Sequence, residues 1–236
     1  MKFTIDNFVI ERVAKAGAWL VTSDSTVDLG MLFLRPQEFY ESSNPAFKGR
    51  AFTVTDFMRW YINSTAADNT PCSHHFSYFE DFTGYNIPGD AVLEYLQLPL
   101  PELSVWDTRF ARIATVIQQH QRGRFYIIGA LNAKMSVIAH ELAHAMYYLL
   151  PDYRTQMDAH MAALPADAQD VISSALTKSG YSSTVLLDET QAYMATGLLD
   201  AMENMEALRM PFMKTFARWR KRFIPSKRKP KCISPA

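Results

Sequence analysis

Apolar positions along this chain recur mostly at three- and four-residue intervals, the spacing of helices with one buried side. Trp106, Phe110, Ile113 and Ile117 form one such stripe, opened by Ser104 with Asp107 three residues later and closed by Gly123. His120, near its end, reads as a helix C-terminal residue. Met135, Ile138, Leu142, Met146 and Leu149 form a second stripe, on a helix that Pro151 ends. The chain is then polar to about residue 163. Pro165 starts a further helix ended by Gly180, and Leu187–Met205 and Pro211–Phe223 supply two more. Phe125–Gly129, β-branched and aromatic, is a short strand directly before the second stripe, suited to a cleft in which an extended peptide pairs with the sheet edge.

The N-terminal part is less periodic. Phe8–Val21 reads as a helix, or as a helix and a strand, and Val27–Leu34 as a buried strand ended by Pro36. Thr55 caps a helix through Asp56–Ile62, whose aromatic residues belong to the core. Asn63–Ser77 is small and polar, hence loop, and Phe76–Tyr85 is dense in aromatics that pack a lobe or line a cleft. No segment repeats. The pattern predicts an α+β, predominantly helical fold with a small sheet beside the helix around residues 135–149. It divides into an N-terminal lobe (1–122), a second lobe (123–213) and a tail (214–236).

At 236 residues with 48% hydrophobic content the chain can bury a substantial core. Its zero net charge hides an asymmetry. Nine of the 24 Lys and Arg lie between Lys214 and Lys231, no Asp or Glu follows Glu206, and the body before Lys214 carries a net charge of minus nine. The basic, Pro-containing tail is expected to be disordered; it reads as a solvated end attracted to the acidic body rather than a nucleic-acid or membrane-surface adaptor. No run reaches transmembrane length, and Met1–Lys15 lacks the apolar core of a secretory signal. Cys72 and Cys232 make no disulfide framework, so a cytoplasmic location is expected. Cys72-Ser-His-His75 reads as loop, because nothing nearby completes a zinc-finger spacing.

The second stripe carries the chemistry. His140-Glu141-Leu142-Ala143-His144 has the H-E-x-x-H pattern. Four apart on a helix, the two histidines share a face and can each aim a ring nitrogen at one Zn²⁺, while Glu141 can reach a water on that metal. A catalytic zinc keeps three protein ligands and one open position, so a third ligand must come from elsewhere. Tyr147 and Leu150 stand where a metzincin has Gly and His, which excludes that pattern. The candidates are Asp188 and Glu189 on a later helix, and Asp158 or His160 just after the motif.

His140-Glu-Leu-Ala-His144 followed by a helical Glu189 resembles the gluzincin class of zinc metallopeptidases, of which thermolysin is the familiar member. The resemblance implies a zincin-like fold, zinc held by His140, His144 and Glu189, Glu141 as base, and a peptide or protein substrate. It departs at Tyr193, four positions after Glu189, where the thermolysin kind carries an acidic residue that orients a zinc-binding His. Asp188 or Tyr193 itself is the candidate for that role. Peptide or amide hydrolysis also needs a donor to the oxyanion, drawn from Tyr147, Tyr148, Tyr153 and His160, with Tyr148 and His160 foremost. The competing expectation is a noncatalytic zinc-containing binding or regulatory protein. Glu141 separates the two, since a structural site has no use for a base there.

Overall fold

Asp6, with φ of 52°, turns the chain between β1 (Lys2–Ile5) and β2 (Phe8–Arg12), and β3 (Ala18–Ser23) continues antiparallel to β2. The computed structural model describes residues 1–66, 75–82, 84–132, 135–197 and 205–224. Within them β4 (Gly84–Pro88) and β5 (Tyr126–Leu131) complete a five-stranded sheet of order β1-β2-β3-β5-β4. β3 and β5 are parallel and β4 runs antiparallel to β5. Phe8–Val21 is therefore a pair of strands and contains no helix. Phe8 and Ile10 alternate inward at the two-residue period, and the stretch from Val13 to Gly17 separates them from the next strand. β5, expected beside the cleft, lies inside the sheet, and β4 is the edge strand next to it.

Helix α1 (Thr26–Glu41) occupies the segment that reads as a strand. It is covered by the sheet on one side and by α3 (Tyr78–Asp81), α4 (Gly89–Tyr95) and α5 (Val105–His120) on the other. Leu29–Phe39 is consequently buried nearly all round, and no polar stripe reveals the helical period. Ser25 caps α1 by accepting from the Asp28 amide at 3.1 Å, and Pro36 sits within the helix without ending it. Arg35, buried in the same helix, pairs with Asp107 at 3.0 Å, and Asp107 also closes the capping box of α5 with Ser104. Helix α2 (Val54–Ala66) is capped by Thr53, which accepts from Asp56 N at 3.0 Å, two residues before the expected Thr55.

The remaining helices, α6 (Met135–Leu149), α7 (Pro151–Ala162), α8 (Ala166–Lys178), α9 (Leu186–Thr196) and α10 (Glu206–Phe223), follow β5. One face of the sheet carries Trp19, Val21, Tyr85 and Ile127 into a core with α1 to α5; the other carries Ala18, Tyr126 and Ile128 into a core with α6 to α10. The stretches 1–122 and 123–213 thus meet across one sheet, to which both contribute strands. Residues 214–223, placed in the tail by charge, continue α10 and bury Thr215, Phe216 and Phe223. Residues 225–236 with Cys232, and Cys72 and His74, fall outside the described residues. Pro151 both follows α6 and starts α7 from its first turn, so the polar stretch after it is helical. No helix among the described residues is long and apolar enough to cross a membrane.

Candidate metal centre

Alanines bring α6 close to its neighbours. Ala143 and Ala145 are fully buried beside Leu142 and Met146, and α6 lies against β4, β5 and α9. The whole stretch His140–Tyr147 is buried in consequence. His140 is 6% exposed, His144 1% and Glu141 5%, so the motif faces an enclosed space rather than bulk water. Helix α9 supplies Glu189 from its first turn, 3% exposed, and is terminated by Gly197 in the left-handed conformation (φ 74°).

Three donor atoms converge there. Nε2 of His140 and Nε2 of His144 are 3.2 Å apart, and Oε2 of Glu189 lies 3.6 Å from each. Both imidazoles are engaged at their far nitrogens. Nδ1 of His140 is 3.2 Å from Oγ1 of Thr196, which donates its own proton to the Ala192 carbonyl at 2.7 Å and is thereby left to accept. Nδ1 of His144 is 2.9 Å from Oδ1 of Asp188, close enough for an ion pair though bent from a straight hydrogen bond. Protons assigned to both Nδ1 atoms leave two Nε2 lone pairs and a carboxylate oxygen facing one another, an arrangement stable only with a cation or proton between them. Asp188 is fixed in turn by Gln191 Nε2 at 3.0 Å, and Gln191 accepts from the Tyr153 hydroxyl at 3.0 Å. Among the described residues, His140, His144 and Glu189 are the group that could hold a metal ion.

The charge balance points the same way. Burial opposes a proton on His144, but Asp188 and Glu189 outweigh it and hold the imidazole well above its ordinary 6.5. Burial raises the Glu141 carboxyl, with His140 and His144 offsetting part of the rise. Three carboxylates thus surround two imidazoles, and the cluster is short of positive charge.

Glu141 sits against the edge strand, where a Cβ on Gly84 would lie 2.2 Å from its Oε1; its Oε2 is buried without a hydrogen-bond partner. A cleft of about 140 Å³ lies here, lined by His140, Glu141, Gly84, Val137, Tyr181 and Tyr193 among others. The Tyr193 ring is 4.5 Å from that of His140, and its hydroxyl shares a 2.8 Å hydrogen bond with Tyr181.

The other candidates from the sequence have different partners. The Tyr148 hydroxyl donates to Asp90 at 2.9 Å, and Arg124 covers its ring. His160 bonds Thr215 at 3.0 Å and packs on Phe212, so neither Tyr148 nor His160 lines the cleft. Tyr147 donates to Asp158, which occupies both residues away from the cluster, and Tyr153 stands behind Gln191. Thr196, Tyr181 and the cleft-lining position of Tyr193 escape a sequence reading. Thr196 had a signal, lying seven residues after Glu189 and hence on the same face of one helix; Tyr181, on the connection into α9, had none. Comparison with protein-family models, with curated proteins and with solved structures finds no match to this chain.

Proposed function

We propose that the chain is a zinc-dependent hydrolase of peptide or amide bonds, zincin-like in fold and of gluzincin type, with His140, His144 and Glu189 as ligands and Glu141 as base. The observation that carries this reading is the convergence of two Nε2 atoms and Oε2 of Glu189 beside the unpartnered Oε2 of Glu141. At zinc's ligand distances, neighbouring donors of a tetrahedral set lie roughly 3.3–3.4 Å apart. Separations of 3.2 to 3.6 Å fit that requirement. Two imidazoles and a carboxylate also serve iron oxygenases, but a buried carboxylate next to the first histidine with one oxygen, Oε2, left without a partner is what water activation requires.

A zinc ion held by His140, His144 and Glu189 would acidify a water and polarise the scissile carbonyl. The protein's own groups supply the rest. Glu141 Oε2 takes the proton from the attacking water and passes it to the leaving amine nitrogen. Tyr193, held on His140 and by Tyr181, donates its hydroxyl proton as a hydrogen bond to the developing oxyanion. Burial pushes the Tyr193 hydroxyl up to about 12, which keeps that proton in place at neutral pH.

The reading is tested by zinc content and by cleavage of a peptide mixture. Purified protein should hold about one zinc per chain, Glu189→Ala should hold little, and Glu141→Gln should keep the metal and lose cleavage. Absence of zinc uptake, or an active Glu141→Gln, overturns it.

A further inference from the structure

The small cleft at the metal cluster adjoins a larger cavity of about 530 Å³, bounded by α1, α2 and the connection between α8 and α9. Asp81, Phe82, Tyr181 and Tyr193 line both spaces. The larger one is distinguished by its charge. Glu38, Glu41 and Asp81 border it, and among the described residues no Lys, Arg or His does.

Glu38 is 8% exposed and has no ion-pair partner among the described residues. Among the described residues the other two carboxylates accept hydrogen bonds from neutral donors. Gln37 donates to Glu41, and the Tyr61 and Ser77 hydroxyls donate to one oxygen of Asp81 at 2.5 and 2.7 Å. Such bonds satisfy lone pairs but supply no full countercharge, so burial holds the carboxyls toward their neutral form until a cation enters. Burial pushes the Glu38 carboxyl up to about 7, with Ser42 and Tyr78 offsetting only part of the rise.

A second metal ion does not fit these three residues. Among the described residues the one group of three or more His, Cys, Asp or Glu side chains that could hold a metal ion is His140, His144 and Glu189. The space is also walled by aromatic rings, including Trp60, Tyr61 and Phe82. Carboxylates spread around an aromatic-walled cavity suit an extended organic cation, which gains from both charge and ring faces.

We infer that this cavity is a subsite for a lysine or arginine side chain of the substrate cleaved at the adjoining metal centre. The inference rests on the hydrolase reading for the word substrate, but the binding it asserts can be measured without turnover. The probes are N-acetylated, C-amidated pentapeptides that differ only in a central arginine, lysine, citrulline or norleucine. Their binding is measured by calorimetry to the full chain carrying Glu141→Gln, alone and combined with Glu38→Gln or Glu41→Gln. Arginine and lysine peptides should bind about tenfold or more tightly than the neutral ones, as expected for a charge paired in a desolvated pocket. That margin should shrink in each combined variant while the neutral peptides bind unchanged.

Equal binding of arginine and citrulline peptides overturns the subsite, and so does a basic preference that survives both substitutions. The wild-type chain incubated with the same peptides separates the two ideas. Selective binding with no cleavage of any probe leaves the cation subsite standing and removes the hydrolase reading.

Discussion

Gly84 on the edge strand makes room for the Glu141 carboxylate: a Cβ at residue 84 would stand 2.2 Å from Oε1 of Glu141 and 2.6 Å from Cγ1 of Val137. The proposed base is thus positioned by the absence of a side chain on a neighbouring strand. In Gly84→Ala the carboxylate or the helix must shift, and a displacement of about 1 Å at a reacting group costs on the order of 10²-fold in rate. Zinc content should be unchanged, because the atoms nearest to this glycine belong to Glu141 and Val137 and not to the proposed ligands. Side-by-side measurement of kcat/KM and bound metal checks the claim, and loss of metal in this variant would contradict it.

His144 depends on Asp188 in a different way. The carboxylate 2.9 Å from Nδ1 fixes which ring nitrogen is free to ligate, and Gln191 and Tyr153 fix the carboxylate. Asp188→Asn should weaken metal binding by about 10- to 100-fold, the usual cost of losing a group that orients a ligand. Tyr153→Phe, further along the chain of bonds, should cost less. Competition against a chelator gives the affinities, and equal affinity in wild type and Asp188→Asn would exclude the orienting role.

Tyr193 and Tyr181 should act on rate rather than on metal. Removing one oxyanion donor costs about 10² to 10³ in kcat. Tyr193→Phe keeps the ring on His140 and deletes only the hydroxyl, so a fall of that size at unchanged zinc content is expected. Tyr181→Phe should give a smaller fall, since it holds Tyr193 through a single 2.8 Å bond. A Tyr193→Phe enzyme with wild-type kcat would move the donor elsewhere.

What the sequence reveals and what it hides follows from how each element is covered. Helix α5 was legible because one side faces water, so its Trp106–Ile117 stripe and its Ser104–Asp107 box stand out against polar residues. Helix α1 was not, because its buried circumference leaves a continuous apolar run that a strand would also show; its remaining signal, Ser25 with Asp28, is the capping pair that the structure uses. At the candidate site, His140, Glu141 and His144 share one short motif, and helical geometry alone brings them together. Everything else comes from non-local packing. Asp188, Glu189 and Thr196 reach the cluster only because α9 crosses α6, and β4 holds Gly84 beside Glu141 only because it pairs with β5 at the sheet edge.

Burying Glu38 without an ion-pair partner among the described residues has a consequence for stability. Its carboxyl is pushed up from an ordinary 4.5 to about 7, first by burial. The folded chain therefore holds this proton up to about pH 7, whereas the unfolded chain releases it near 4.5. Between those values the folded state binds more protons, so Glu38 makes stability fall as pH rises, and its contribution levels off above pH 7. Glu38→Gln removes the titration. It should be more stable than wild type at pH 8, by at most about 3 kcal/mol, the worth of a shift of this size. The gap should close as pH falls toward 4.5, where both side chains are neutral. Urea unfolding of the two proteins across that range measures it, and a gap that widened toward low pH would mean that Glu38 is charged and paired in the fold. A residue whose replacement stabilises the protein while weakening its preference for basic peptides is retained for binding, which ties Glu38 to the cavity beside the candidate metal centre.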